Sequence, residues 1–173
     1  MNYTNHLELT QKYPDSVILN ISLTKCVIID KEFEYLKNHK WHIDANGYVR
    51  RRHIAGSLGK YGIRKHINKF KYLHHEILPK KSYMMVDHIN GDILDNRKCN
   101  LRYATASQNC QNSKPSRGRK YKGTHKTPSG KYSASVSHKY LGTFLTEEEA
   151  ALKYNEEASK LYGEFARLNV ISI

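Results

Sequence analysis

No apolar run in this chain is longer than one β-strand. The longest candidates, Val17–Leu23 and Val27–Ile29, are strand-sized, in a chain of 173 residues that is 39% hydrophobic. That is enough for one ordinary core or two small ones, built from many short elements. A membrane-spanning helix needs about 20 consecutive apolar residues, and a secretory signal needs its own apolar stretch. Neither is encoded, so a cytoplasmic protein without a membrane partner is expected. Cys26, Cys99 and Cys110 form no C-x-x-C pair. This excludes a zinc knuckle and a disulfide framework, and free thiols in a reducing compartment are expected.

The turn residues divide the chain further. Residues 1–15 are polar and read as frayed apart from a short turn. Val17–Leu23 and Cys26–Ile29 read as strands joined at Thr24-Lys25. Asp30 is placed as an N-cap of a short helix reaching Asn38, with Glu32 and Glu34 in its first turn. Asn46-Gly47, between Trp41–Ile43 and Tyr48–Arg52, is a hairpin signal. Gly56, Gly59 and Gly62 suggest a loop, and Phe70–Leu78 a helix stopped by Pro79. Tyr83–His88 reads as a strand, residues to about Lys98 as a loop, and Leu101–Ala104 as a second strand. Thr105 stands three residues before Gln108, a capping-box spacing that opens a helix ended by Pro115. Lys114–Arg119 has the composition of a linker. Tyr121–Lys126, Lys131–His138 and Tyr140–Phe144 read as strands. Thr146 with Glu149 caps a last helix, closed by Gly163, whose apolar stripe is Ala151, Tyr154, Ala158 and Leu161.

Charge narrows the class of partner. The formal net charge is +13. Lys37–Ser82 carries twelve Lys/Arg against Asp44 and Glu76, and Gln111–Lys126 carries six with no acid. Five of the sixteen acids are gathered in Glu147–Glu157. Segregation of this kind gives one phosphate-facing side and one solvated side, and nucleic acid is the expected partner. An anionic membrane surface fits less well, because no basic amphipathic helix is present.

The chemistry gathers in VDHINGDILDNRKCNLRYATASQN, Val86–Asn109. A carboxylate (Asp87) and a carboxamide on the following helix (Asn109) are hard oxygen donors, suited to magnesium, manganese or calcium. The imidazole of His88 beside them can stay unmetallated and accept a proton from water. An EF-hand reading fails, since Gly91 at its sixth position would put Val86 first and Arg97 twelfth. A zinc-protease helix fails because His74-His75-Glu76 has the wrong order. On spacing alone, an Asn/Asp-rich structural turn remains as good a reading as a metal site.

The residues from about Leu73 to Asn112, with YLHHEIL, VDHINGDILDNRKCNLR and ATASQNCQN, resemble the HNH nucleases in the variant with Asn in the third motif position. They are especially similar to the phage and intron-encoded homing enzymes. The resemblance implies a ββα core around one divalent cation, Mg²⁺ or Mn²⁺. It makes Asp87 and Asn109 the metal ligands and His88 the general base. Asn100 would fix the loop that aims His88, and His74 would be an auxiliary histidine. Tyr121–Asn169, with YLGTF, TEEEAALKYNEEA and GEFARLN, resembles the ethylene-response-factor (Apetala-2) DNA-binding domain, which implies a three-stranded sheet on one helix.

The expected protein is therefore α+β. A β-rich basic DNA-binding region spans 1–69, a ββα-metal nuclease core 70–114, a basic linker 115–120 and an ethylene-response-factor-like domain 121–173. The expected contacts to double-stranded DNA are Arg50, Arg51, Arg52, Lys114, Arg117, Arg119, Lys122, Lys126, Lys131, Ser133 and Ser135. The expected function is a site-specific, metal-dependent homing endonuclease that leaves 5′-phosphate and 3′-hydroxyl ends and nicks one strand as a monomer. The alternatives are a restriction endonuclease and a non-catalytic DNA-binding protein on the same fold.

Overall fold

The computed structural model describes residues 6–58, 64–116 and 118–171, and the side chains of all these except 7, 54–58 and 64–68. The chain divides into two compact units, one ending at Tyr103 and the other beginning at Ala104.

The first unit opens with α1 (His6–Lys12), where the sequence suggested a frayed end. Among its described side chains Leu9 is buried, packing on Cys26 and Ile28 with Tyr13 beside them. Two leucines two positions apart in a polar heptapeptide are too little for a helical periodic signal. Strands β1 (Ser16–Ser22) and β2 (Lys25–Asp30) form an antiparallel hairpin. β2 is buried on both faces: Cys26 and Ile28 meet α1, while Val27 and Ile29 join the main core. This double burial is why its apolar residues run consecutively instead of alternating. A 3-10 helix follows over Lys31–Asn38, but the Asp30 side chain does not cap it. Its Oδ2 instead accepts the Lys98 N–H at 2.6 Å, a partner far away in sequence.

The Asn46-Gly47 hairpin forms as expected. β3 (His42–Ile43) and β4 (Val49–Leu58) pair through it, and Asp44 Oδ1 accepts the N–H groups of Asn46 and Tyr48 at 2.9 and 3.0 Å. Gly47 has φ +89, and a Cβ there would stand 2.7 Å from Ile93 Cδ1. Glycine is thus favoured by conformation, while the end of the Ile93 side chain could shift to admit a Cβ. β5 (Arg64–Tyr72) pairs with β4 along its whole length, from Arg50↔Tyr72 to Leu58↔Arg64. The sequence reading had a loop there and started the helix at Phe70; α2 occupies only Leu73–Ile77. Cationic residues gave this ribbon no apolar alternation. Gly56 lies within β4, and Gly59 and Gly62 fall outside the described residues.

β6 (Met85–His88) and β7 (Leu101–Ala104) pair with each other. β6 starts later than expected, after Tyr83 in a positive-φ conformation. One core of Leu19, Val27, Ile29, Leu36, Trp41, Val49, Leu73, Ile77 and Leu101 serves the unit and crosses position 69 without a break. Each such side chain contributes about 1.5–3 kcal/mol on full burial.

The second unit begins with α3 (Ala106–Gln111). Thr105 and Gln108 form the expected capping box, and the helix ends at Asn112, before Pro115. β8 (Thr124–Lys126), β9 (Tyr132–Val136) and β10 (Lys139–Phe144) make an antiparallel sheet of order β10-β9-β8. β9 stops short of the expected His138, because Ser137 and His138 both take positive φ and form the two-residue turn to β10. α4 (Glu147–Tyr162) packs on the sheet with Thr146 and Glu149 as its capping box. Its buried face is Ala150, Ala151, Tyr154 and Ala158. Leu161, expected in that stripe, is 56% exposed, and Tyr162 packs there instead. The Tyr154 ring lies against Gly123, where a Cβ would come within 2.0 Å of it. The architecture is α+β, with small sheets and short helices.

Candidate nuclease site

β6 delivers Asp87 and His88 into the first unit, both buried. Asp87 Oδ2 accepts Nε–H of Arg102 on β7 at 3.0 Å. His88 Nε2 lies 3.3 Å from Asn96 Oδ1. The Asn96 amide is oriented by its own Nδ2, which donates to the Ile93 carbonyl at 3.1 Å. Its oxygen can only accept, so the imidazole carries its proton on Nε2 and its basic lone pair on Nδ1. Burial pushes the His88 pKa below the usual 6.5, against the opposing pull of the Asn96 bond and the carboxylates of Asp87, Asp92 and Asp95. At neutral pH this is a neutral base.

The loop between the strands is held by carboxamides. Asn100 Oδ1 accepts the Asn90 N–H at 2.9 Å, and its Nδ2 donates to Asn90 Oδ1 at 3.0 Å and to the Asp95 carbonyl at 2.7 Å. Asn90 Oδ1 also takes the Asp92 N–H at 2.7 Å. Asp95 is fully buried, and Arg97 forks onto it with two bonds of 2.8 Å. A buried carboxylate stays charged only with such a partner. β2 holds the loop from outside. Ile28 N–H donates to the Leu94 carbonyl at 3.0 Å, and the Ile28 carbonyl accepts the Asn96 N–H at 2.8 Å.

His74, on α2, is buried among the rings of Tyr48, Tyr72, His75 and His88, its centroid 5.5 Å from that of His88. Burial, aided by His75 and His88, pushes its pKa down to about 3, so it is neutral.

The expected DNA contacts lie in both units. In the first, the Arg50 guanidinium lies 3.9 Å over the Phe70 ring, Arg51 pairs with Glu76 at 3.3 Å, and Arg52 is exposed. They line a cleft of roughly 630 Å³ with His39, Lys40 and His42, and none of the described residues lining it is acidic. In the second, Lys114, Arg119, Lys126 and Lys131 are exposed, and Ser133 and Ser135 sit opposite the buried face of β9. Arg117 lies outside the described residues. Lys122 is different: its ammonium donates to main-chain carbonyls at the end of α3. Asn109 also belongs to this unit, half-buried on α3.

Residues 76–111 match the profile of the HNH endonuclease family. A protein of Acanthamoeba polyphaga mimivirus, named as an uncharacterized HNH endonuclease, is 34% identical over 156 residues, covering 87% of this chain and 74% of its own. This chain belongs to the HNH endonuclease family. An ethylene-responsive transcription factor of Arabidopsis thaliana is 48% identical over a segment covering 24% of this chain and 26% of its own. No solved structure matches the chain.

As an HNH protein the chain is a nuclease, and HNH nucleases generally use a divalent metal. Among the described residues, no three His, Cys, Asp or Glu side chains are grouped as a zinc centre needs. Asp87 lies in the first unit, its Oδ2 on Arg102, and Asn109 lies in the second. A carboxylate and a carboxamide oxygen are each a donor type that a hard cation such as Mg²⁺ or Mn²⁺ takes. Also among the described residues, no helix is long and apolar enough to cross a membrane. Sequence reasoning credited Asn100 with the loop and missed Asn96, which touches the imidazole. It also missed Arg102, although the quoted N-L-R contains it. Asn96 offered only one more asparagine in an asparagine-rich turn as a signal.

Proposed function

We propose that this HNH protein is a site-specific, divalent-metal-dependent DNA endonuclease of the homing type, working as a monomer that nicks one strand. The observation that carries this reading is the contact between His88 and Asn96 within the family-matched segment. It leaves a neutral imidazole, with Nδ1 basic, next in sequence to a buried carboxylate.

In this reading, His88 Nδ1 takes a proton from water as its oxygen bonds to phosphorus. The P–O3′ bond breaks, leaving a 5′-phosphate and a 3′-hydroxyl. Asp87 and Asn109 would hold the cation, Mg²⁺ or Mn²⁺, which would supply stabilisation of negative charge on the reacting phosphate. Asn100 keeps the loop in register and Asn96 keeps the imidazole in its tautomer. His74, neutral and packed, supports the ring of His88. The region 1–69, with the cleft at Arg50–Arg52, and the domain 121–173, with Arg119, Lys126, Lys131, Ser133 and Ser135, each contact duplex DNA, which the 70–114 core cuts. Lys114 and Arg117 add positive charge on the way to it. The single D-H…N…N constellation offers one attack at a time, hence nicking.

Incubation of supercoiled plasmid with enzyme and Mg²⁺ tests this. Open circles should appear first, at a rate linear in enzyme, with 5′-phosphate ends. Direct linearisation, rising with the square of enzyme concentration, would make a dimer the working unit. Absence of cleavage with any divalent cation would remove the catalytic reading.

A further inference from the structure

We infer that Lys122 is a positioning residue for the cation site, acting through α3, and that the C-terminal module is thereby part of the nuclease machinery. This rests on the reading of Asn109 as a cation ligand.

α3 is six residues long, too short to hold its shape alone, and its last carbonyls have no partner within the helix. Beyond the helix, the Ser113 N–H and Oγ–H reach the Cys110 carbonyl at 3.1 and 2.7 Å, and Lys122 Nζ joins them. It donates to the carbonyls of Cys110 at 3.1 Å, Gln111 at 2.6 Å and Ser113 at 2.9 Å. Cys110 and Gln111 directly follow Asn109 in α3. A cation is also the favoured charge at a helix C-terminus.

Lys122 is itself fixed. Its N–H donates to Asn169 Oδ1 at 2.7 Å, and its carbonyl accepts Asn169 Nδ2–H at 3.0 Å. Asn169 exchanges two further bonds with Asn155 of α4, at 2.7 and 2.9 Å. A second strap, the Arg167 N–H to the Gln111 carbonyl at 3.3 Å, joins the same chain end to α3. One hydrogen-bonded path thus runs from α4 through Asn169 and Lys122 to the helix carrying Asn109. A lysine serving DNA phosphate would keep its head in solvent. Lys122 is half-buried, with its ammonium on three carbonyls.

The test uses the full chain carrying His88→Ala, expected to slow turnover about 100- to 10,000-fold, and reads Mn²⁺ affinity by calorimetry with and without non-specific duplex. Adding Lys122→Met should weaken Mn²⁺ binding roughly tenfold or more, the usual cost of losing a group that orients a ligand. It should also speed amide exchange across 106–112 and leave metal-free DNA affinity nearly unchanged. Lys122→Arg should recover most of the loss, and Lys160→Met, on an exposed residue of α4, should leave Mn²⁺ affinity alone. Parental Mn²⁺ affinity in Lys122→Met, with weakened DNA binding, would overturn the inference and make Lys122 a phosphate contact. Should Lys122→Met not fold, exchange in the parent protein decides: α3 protected together with α4 supports the tether, and α3 fraying independently overturns it. If Asn109→Ala in the same background keeps parental Mn²⁺ affinity, the ligand reading falls. If Asn109→Ala loses it and Lys122→Met does not, the tether alone falls.

Discussion

Asn96 Oδ1 lies 3.3 Å from His88 Nε2, in the interior of the first unit, and so selects which imidazole nitrogen is basic. Asn96→Ala should lower the single-turnover cleavage rate about 100-fold through misplacement of the ring, while DNA affinity holds. A wild-type rate in a folded Asn96→Ala protein would show that the contact does not aim the base.

His88→Ala should lower the rate about 100- to 10,000-fold, the usual worth of a general base, with DNA binding intact. Turnover like wild type would remove His88 from the chemistry.

The pH–rate profile should place that base below its ordinary range. A general base acts unprotonated, and burial lowers the His88 pKa from 6.5. The midpoint of the acid limb should therefore lie below pH 6.5. An acid limb centred at or above 6.5 would contradict the buried, neutral imidazole.

Much of this site was legible because its signals are local. The Thr105–Gln108 box and the strand Leu101–Ala104 announce themselves within a few residues, and both formed where expected. The Asn46-Gly47 turn did so for the same reason. What escaped depends on partners far along the chain. Asp30 has the chemistry of a cap, yet its carboxylate goes to Lys98. β5 is held by its ladder to β4 and shows no alternation of its own. Lys122 reads as one more cation among many, and only the fold brings it onto the carbonyls of α3. Asn96 is one of several asparagines, singled out only by the imidazole that reaches it.

Acid should destabilise the fold through His74. Its pKa is about 3 when folded and 6.5 in the unfolded chain, so between those values the unfolded state binds a proton that the folded state refuses. Stability should be full above pH 6.5 and decline as pH falls towards 3, by up to about 1.4 kcal/mol per unit. Thermal unfolding from pH 7 to 4 measures the slope, which His74→Phe should reduce. An equal slope in that variant would assign the acid sensitivity elsewhere.

Arg102→Met should destabilise the protein by about 3–5 kcal/mol, since it takes a guanidinium from the buried Asp87 carboxylate. Denaturant melts report this directly. A loss under about 1 kcal/mol would class the pair with exposed surface bridges.

The two backbone bonds of Ile28 to Leu94 and Asn96 carry a consequence for heredity. A gene segment that begins at residue 70 encodes the Asp-His pair but leaves behind the strand on which the asparagine beside the histidine is hung. Recombination or engineering that grafts this loop into another protein should therefore carry the hairpin from Ser16 onward, so the portable unit is longer than the motif but continuous in chain.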